Sequence, residues 1–320
     1  MADLFDKQGG DILVIGVGGM GGRAAGAGAE DASNPDSPLR VRWAAAHDQP
    51  AELIATGLDK KILFDALDGP FAGQRATQNV AARSKELKRL AAGRTIVFLA
   101  GSLGERSVCA YLPALAEGLR RVQDALICAI VCEPATLLGQ ESPVDEDAVA
   151  DIEAVCDLTL RIPARTLSEG LGDSPLSLLN VAVEKKLVAA IEALAGVLCL
   201  PDSGGFSALS LRKALNGSGP MRAGLGVAQG PDAIAQATQQ ALAGFSDGDA
   251  RACGAAAAVL ANRELSVSET LALAERFAPL SDSPPLLGVC AQPGLIEDAV
   301  CLVLLRGAGR ANVVSIEAAS

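Results

Sequence analysis

Residues Asp11 to Gly16, DILVIG, form an apolar run that passes directly into GVGGMGG and then into the alanine-rich stretch Arg23 to Ala32. A strand that ends in glycines and reopens as a helix leaves a chain few options. The glycines let backbone N–H groups converge at a helix N-terminus, where the helix dipole attracts an anion, and this is how an α/β nucleotide-binding sheet opens. The downstream pattern keeps the alternation. Strands are expected at Val41–Ala46, from Thr95 to Ala100, at Ala125–Val131 and at Asp157–Ile162, with helices at Asn79–Ala92, Tyr111–Val122 and Asp145–Ala154. Such alternation implies a mostly parallel sheet wrapped by helices. A looser stretch from Pro163 to Pro175 then precedes a long proline-free helix, Leu176–Leu200. Beyond Pro201 come glycine-rich turns and shorter elements, among them an alanine-rich helix near Pro231–Gly244 and a late strand, Ala299–Leu305. The expected organisation is an α/β unit over residues 1–175, a connecting helix over 176–200 and a smaller α/β unit over 201–320.

Charge and hydropathy narrow the function classes. With 38 acidic against 27 basic side chains the chain carries −11, which argues against nucleic acid, whose phosphates require a basic face. Half of the residues are hydrophobic, enough for a buried core. The longest apolar runs are strand-length, far short of the roughly 20 residues that span a bilayer, so no direct membrane insertion is expected. Residues 1–10, MADLFDKQGG, show neither a basic nor an apolar leader region, so a cytoplasmic location is expected. The eight cysteines lie scattered in apolar segments without a C-x-x-C pair and read as small core residues. No metal site is expected. Cys128 and Cys132, four apart, fall on one side of a strand. His47, the only histidine, reads as a polar loop residue.

Gly16, Gly18 and Gly21 also satisfy G-x-G-x-x-G loosely, and Asp48, after the second strand, is placed to hold a ribose. At this level a nicotinamide or flavin oxidoreductase and a structural turn without ligand both remain open.

Over nearly its whole length the chain resembles the FtsZ branch of the tubulin superfamily. GVGGMGG matches that family's GVGGGGG loop, and AAAHDQPAEL, Ala44 to Leu53, sits where the family has a strand ending in an NTDAQAL-like stretch. VFLAGSLGERSVCAYLP, Val97 to Pro113, aligns with the strand and loop that carry the signature GGGTGTG. VCEPATLLG from Val131, DLTLRIPARTL from Asp157, LNGSGPMRAGLG from Leu215 and GAAAAVLANRELSVSET from Gly254 are similar to further family segments in the same order. The resemblance implies the tubulin/FtsZ two-domain fold: a Rossmann-like parallel-sheet nucleotide-binding domain, a long central helix and a smaller C-terminal α/β domain. It also implies a GTP or GDP site that includes Gly18, Gly19, Met20, Gly21, Gly22, Asp48 and Gly104.

The departures from the family are concentrated in the chemistry. The signature loop reads Gly104-Glu105-Arg106-Ser107-Val108-Cys109-Ala110, keeping one glycine of GGGTGTG. Bulky side chains there obstruct close approach of a phosphate. Glu105 adds a like charge that costs roughly 4 kcal/mol at about 4 Å and an effective dielectric near 20, and Arg106 is expected to pair with it. Sugar and base contacts of the family fall on Leu138, Ser142 and Ala164, and its guanine-reading aspartate falls on Lys185, an ammonium that can only donate. The water-polarising N-x-D-x-x-D loop becomes GFSALSLRKAL, with Gly205, Ser207 and Ser210 at the three positions. Serine hydroxyls without an adjacent base do not orient water for phosphoryl transfer. The segment between Ile62 and Arg75 lacks the family's γ-phosphate sensor, and recruitment through the family's C-terminal tail peptide is not expected. Together these imply a pseudo-GTPase with no catalytic residues and either no nucleotide or weakly bound GTP or GDP, acting as a filament or interaction scaffold. Its expected partner is another copy, head to tail, or a related FtsZ-like protein. The alternatives are a GTP-hydrolysing division or filament protein and, more remotely, an NAD(P)-dependent oxidoreductase.

Overall fold

A computed structural model gives the fold and describes residues 12–31, 41–67, 71–134, 144–162, 176–199, 205–207, 210–211, 221–243, 255–280, 284–291 and 299–307. The first part of the chain runs β1 (Ile12–Val17), α1 (Gly18–Asp31), β2 (Val41–His47), α2 (Pro50–Ala55), β3 (Lys61–Leu63), α3 (Ala72–Ala82) and α4 (Ser84–Ala91). It continues through β4 (Ile96–Ser102), α5 (Arg106–Val122), β5 (Leu126–Cys132), α6 (Glu146–Val155) and β6 (Leu158–Ile162). A long helix, α7 (Leu176–Cys199), leads into β7 (Met221–Gln229), α8 (Ala233–Ala243), β8 (Ala255–Ala261), α9 (Val267–Phe277), β9 (Leu286–Ala291) and β10 (Ala299–Gly307).

All ten strands join one sheet in the order β3-β2-β1-β4-β5-β6-β7-β10-β8-β9. The first six are parallel, and β1, β4 and β5 are buried along their whole length. Burial on both faces is why these strands read as continuous apolar runs rather than alternating ones. Ile12 and Val14 point into one core with α1 and α7, and Leu13, Ile15 and Val17 into another, with α3, α4, α5 and α6. The second part is mixed: β10 runs antiparallel between β7 and β8, and β9 pairs parallel with β8. A third cluster around Phe277, Leu273 and Val259 packs α8 and α9 on that part. Among the described residues the two parts meet in the sheet at one register pair, Arg161 with Arg222.

The α/β architecture expected from the sequence is present, with differences at the margins. The helix expected at Asn79–Ala92 is two helices, broken where Arg83 leaves helical geometry at φ −95°, ψ 11°. His47 is no loop residue: it closes β2, pairs with Leu63 of β3 and is 8% exposed. Cys128 and Cys132 do lie in one core on the same face of β5, and burial lifts the Cys132 thiol to about 12, which keeps it protonated. The loop from Pro163 to Pro175 lies outside the described residues.

Candidate functional site

β1 has β2 on one side and β4 on the other, so the chain reverses its direction of growth across the sheet between β1 and β4. In parallel α/β sheets that reversal opens a crevice at the carboxyl ends of the strands, where ligands bind. Here the crevice is flanked by the β1–α1 turn and the β4–α5 turn.

The first turn takes a single residue. Gly18 adopts φ +77°, a left-handed conformation that side chains resist, and α1 begins at once. Its first free N–H groups point into the crevice, as expected for an anion seat. The seat is held by a side chain of the chain itself. Glu105 accepts hydrogen bonds from Gly19 N–H through Oε2 at 2.7 Å and from Met20 N–H through Oε1 at 3.0 Å. Both carboxylate oxygens face the start of α1, so the favourable charge that a phosphate would supply to the helix dipole comes from within the fold.

Packing explains the surrounding glycines. A Cβ on Gly18 would lie 2.4 Å from Glu105 Oε2 and 2.5 Å from Val108 Cγ2, and one on Gly21 would lie 2.2 Å from the Ala100 carbonyl oxygen. A Cβ on Gly22 would stand 3.1 Å from Thr56 Cγ2. Gly18 makes room for the second turn, and Gly21 lets α1 lie directly on β4. Val108, fully buried on α5, therefore fills space beside the loop rather than lining an open site.

One helical turn further on, Arg23 Nε donates to Glu184 Oε1 on α7 at 2.6 Å, and its Nη1 lies 3.6 Å from Glu52 Oε2 on α2. The Arg23 guanidinium thus lies between the carboxylates of Glu52 and Glu184, and Glu105 stands on the same side of Gly19. That is the opposite of the cation surplus a polyphosphate requires. Cavities of about 670 Å³ and 340 Å³ lie elsewhere, beside Arg120–Ala125 and beside Arg42, Lys60 and Arg89.

No protein-family profile matches the sequence. The structure, however, superposes on solved structures over 93–95% of the chain. An FtsZ from M. jannaschii carrying a tryptophan-to-tyrosine mutation matches with a TM-score of 0.77 at 20% identity, covering 95% of this chain and 92% of that one. CetZ2 from Haloferax volcanii, in a GTPγS-bound protofilament, gives 0.68 at 16% identity, covering 93% and 92%. CetZ1 from the same organism, a GDP-bound monomer, gives 0.72 at 14%, covering 93% and 94%. The fold is that of FtsZ and CetZ.

On this FtsZ fold the sequence-predicted residues separate into groups. Gly18, Gly19, Met20, Gly21 and Gly22 form the turn and first helical turn described above, with the β4–α5 loop packed on them. Gly104 is exposed, donates its N–H to Ser102 Oγ at 3.3 Å and sits against Pro134. Asp48 stands beyond β2 and turns to His47, whose Nδ1 lies 2.9 Å both from Asp48 Oδ1 and from Gln49 N. That nitrogen accepts from Gln49 when unprotonated and donates to Asp48 when protonated.

Ser207 and Ser210, which the resemblance aligns with water-polarising carboxylates of the family, do local structural work. Ser207 Oγ accepts from Ser210 N–H at 3.0 Å and lies 2.9 Å from Ser210 Oγ, an N-cap for the helical turn at Ser210–Leu211. No Asp or Glu occurs between Gly204 and Gly230. Leu138, Ser142 and Ala164 lie outside the described residues.

Two residues escaped the sequence reading in part. Lys185, onto which the resemblance maps the family's guanine-reading aspartate, is exposed, and the ionisable group that α7 turns toward α1 is Glu184, with an 11% exposed side chain. A helix rotates about 100° per residue, so one step of register changes the face. The apolar Val183, Leu187 and Ile191 mark the buried side to which Glu184 is adjacent. The sequence marks Glu105 as an obstruction and predicts a pair with Arg106, but both its oxygens accept from the backbone of α1, 86 and 85 residues away.

Proposed function

We propose that this chain is a cytoplasmic FtsZ-like scaffold that assembles, or docks on a related FtsZ-like protein, without efficient GTP turnover. The observation that supports it is the Glu105 carboxylate at 2.7 and 3.0 Å from the first N–H groups of α1, where a phosphate would bind. Replacement of the catalytic-loop carboxylates by the capping hydroxyls of Ser207 and Ser210 points the same way. Residues 1–175 carry the occupied anion seat, α7 connects them to residues 201–320, and the contact between copies is head to tail, a heterologous arrangement that propagates as an open filament. Such a filament is built from side-chain contacts at the crevice and does not depend on nucleotide. The decisive experiment combines thermal unfolding with about 1 mM GTP or GDP and magnesium, phosphate release from GTP, and electron microscopy of concentrated protein. No thermal shift, no phosphate release and nucleotide-independent filaments are expected. A shift of several degrees with GTP but not ATP, the size a ligand at about 100 Kd produces, together with phosphate release, overturns the reading.

A second reading, a GTP-binding filament protein, draws on Glu184. Its carboxylate offers guanine an acceptor that Lys185 does not, provided that Arg23 releases it. The same GTP titration distinguishes the two.

A further inference from the structure

Charge is unevenly distributed over one helical layer of this acidic protein. Residues 59–94 hold eight basic and four acidic side chains, and residues 144–157 hold six acidic and no basic ones, in a chain of net −11. The first stretch includes β3, the margin strand of the sheet, and α4; the second includes α6. Both helices pack on opposite sides of α5 in the same layer.

Each helix buries an apolar face; α6 presents only acids outward, and α4 presents three cations beside the half-buried Glu86. On α4, Leu87, Leu90 and Ala91 are buried, while Lys85, Lys88 and Arg89 are exposed. On α6, Ala148, Val149 and Ile152 are buried, while Asp147 and Asp151 are exposed one turn apart. None of these five charged side chains makes an ion pair or hydrogen bond with another described residue. Helix stability does not account for all of them. Lys85 stands in the first turn of α4, where the dipole opposes a cation. The basic side is also concave: Arg42, Lys60, Lys61 and Arg89 outnumber Asp59 and Glu86 along the groove of about 340 Å³ between β3 and α4, in which Arg42 Nη1 donates to the Leu90 carbonyl.

We propose that the α4/β3 flank of one copy docks on α6 of the next copy, side by side. The Lys85–Lys88 spacing of about one turn matches that of Asp147 and Asp151, so two short helices can lie against each other with opposite charges facing. Because the two surfaces lie on opposite sides of one layer, the contact is heterologous and can repeat from copy to copy. It is independent of the glycine-loop reading, since none of its residues borders the crevice. A chain that never forms head-to-tail filaments still shows it, and a Glu105 variant leaves it unchanged.

Sedimentation velocity of the full chain at about 50 mM and about 500 mM salt tests this contact, because a Debye length of some 10 Å shortens severalfold in that range. Salt-sensitive oligomers are expected for the wild type. K85E/K88E and D147K/D151K should each associate at least about tenfold more weakly at low salt, like charges now facing each other. An equimolar mixture of the two variants should recover association, since every α4–α6 contact between unlike variants is again complementary. K85Q/K88Q provides a milder neutralisation, and circular dichroism confirms that each variant is folded. A wild type that stays monomeric at low salt, variants that associate as the wild type does, or a mixture without recovery overturns the proposal. So does a flank that binds anionic phosphatidylserine vesicles through Lys85 and Lys88 while self-association is absent.

Discussion

The turns that follow β1 and β4 stand side by side at the same end of the sheet, and they treat their helix termini in opposite ways. The β1 turn has no side chain of its own at Gly18 and Gly19, and its helix is capped from outside by Glu105. The β4 turn supplies that cap. Glu105 occupies the N-cap position of α5, yet its side chain makes no capping bond to α5. One helix start has its N–H groups satisfied by a residue that belongs, by position, to the other. Glycines in the first turn therefore do not report a bound anion: they report how closely something negative must approach, and here that is a carboxylate on the neighbouring turn.

The comparison breaks most severely where backbone meets backbone. G21A should destabilise the protein by about 3 kcal/mol or prevent folding, because its Cβ would fall 2.2 Å from the Ala100 carbonyl oxygen and neither partner can swing away. Urea unfolding measures this, and a change below about 1 kcal/mol would show that α1 does not need its contact with β4. R23A should cost about 2 kcal/mol, since the mostly buried Glu184 loses a charged hydrogen-bond partner; E184L restored beside it should recover part of the loss. E105A sharpens the comparison directly. It should cost about 1 kcal/mol in buffer without oxyanions, yet phosphate or sulfate should stabilise the variant and leave the wild type unchanged. Equal responses of both proteins to phosphate in a thermal-shift titration would mean that Glu105 does not hold the seat.

The smallest effects belong to a helix that caps itself. On α9, Ser266 accepts from Glu269 N–H at 3.2 Å while Glu269 Oε2 accepts from Ser266 N–H at 2.8 Å, a capping box reinforced by Arg263 at 2.7 Å. S266A should cost about 1 kcal/mol or less. The Arg263 hydrogen bond, followed by those from Ser266, lowers the Glu269 carboxyl from 4.5 to about 2. A depressed carboxyl contributes stability above its unfolded value and loses it as the pH falls toward the folded one. The wild type should therefore lose this contribution between about pH 5 and pH 2, and E269Q should flatten that part of the stability curve. Its loss remains small because the Arg263–Glu269 pair lies at the surface, where solvent screens it.

These two caps also show what the sequence makes legible. Ser266 and Glu269 stand three apart, so their bond is written in four residues, whereas Glu105 and Gly19 are joined only because β1 and β4 are neighbours in the sheet. Strands β1, β4 and β5 were readable because burial on both faces leaves uninterrupted apolar runs. β3 was not, since three residues with Lys61 leading carry almost no pattern. The obstructing chemistry of Glu105 followed from its charge and size. Its bonding partner required the third dimension, as did the choice between Glu184 and Lys185, which differ by one step around α7.

The position of β10 carries a consequence for the order in which the protein can be made. Strand β10 lies between β7 and β8, so a nascent chain emerging from the ribosome has the six parallel strands β1–β6 in hand by Ile162 but cannot join β8 and β9 to β7 until Gly307 has been synthesised. Until then the two inner strands present unpaired edges, the kind that invite pairing with another chain. Translation through β10 thus acts as the closing stitch of the sheet, and truncation within β10 should yield aggregation rather than a shorter soluble protein.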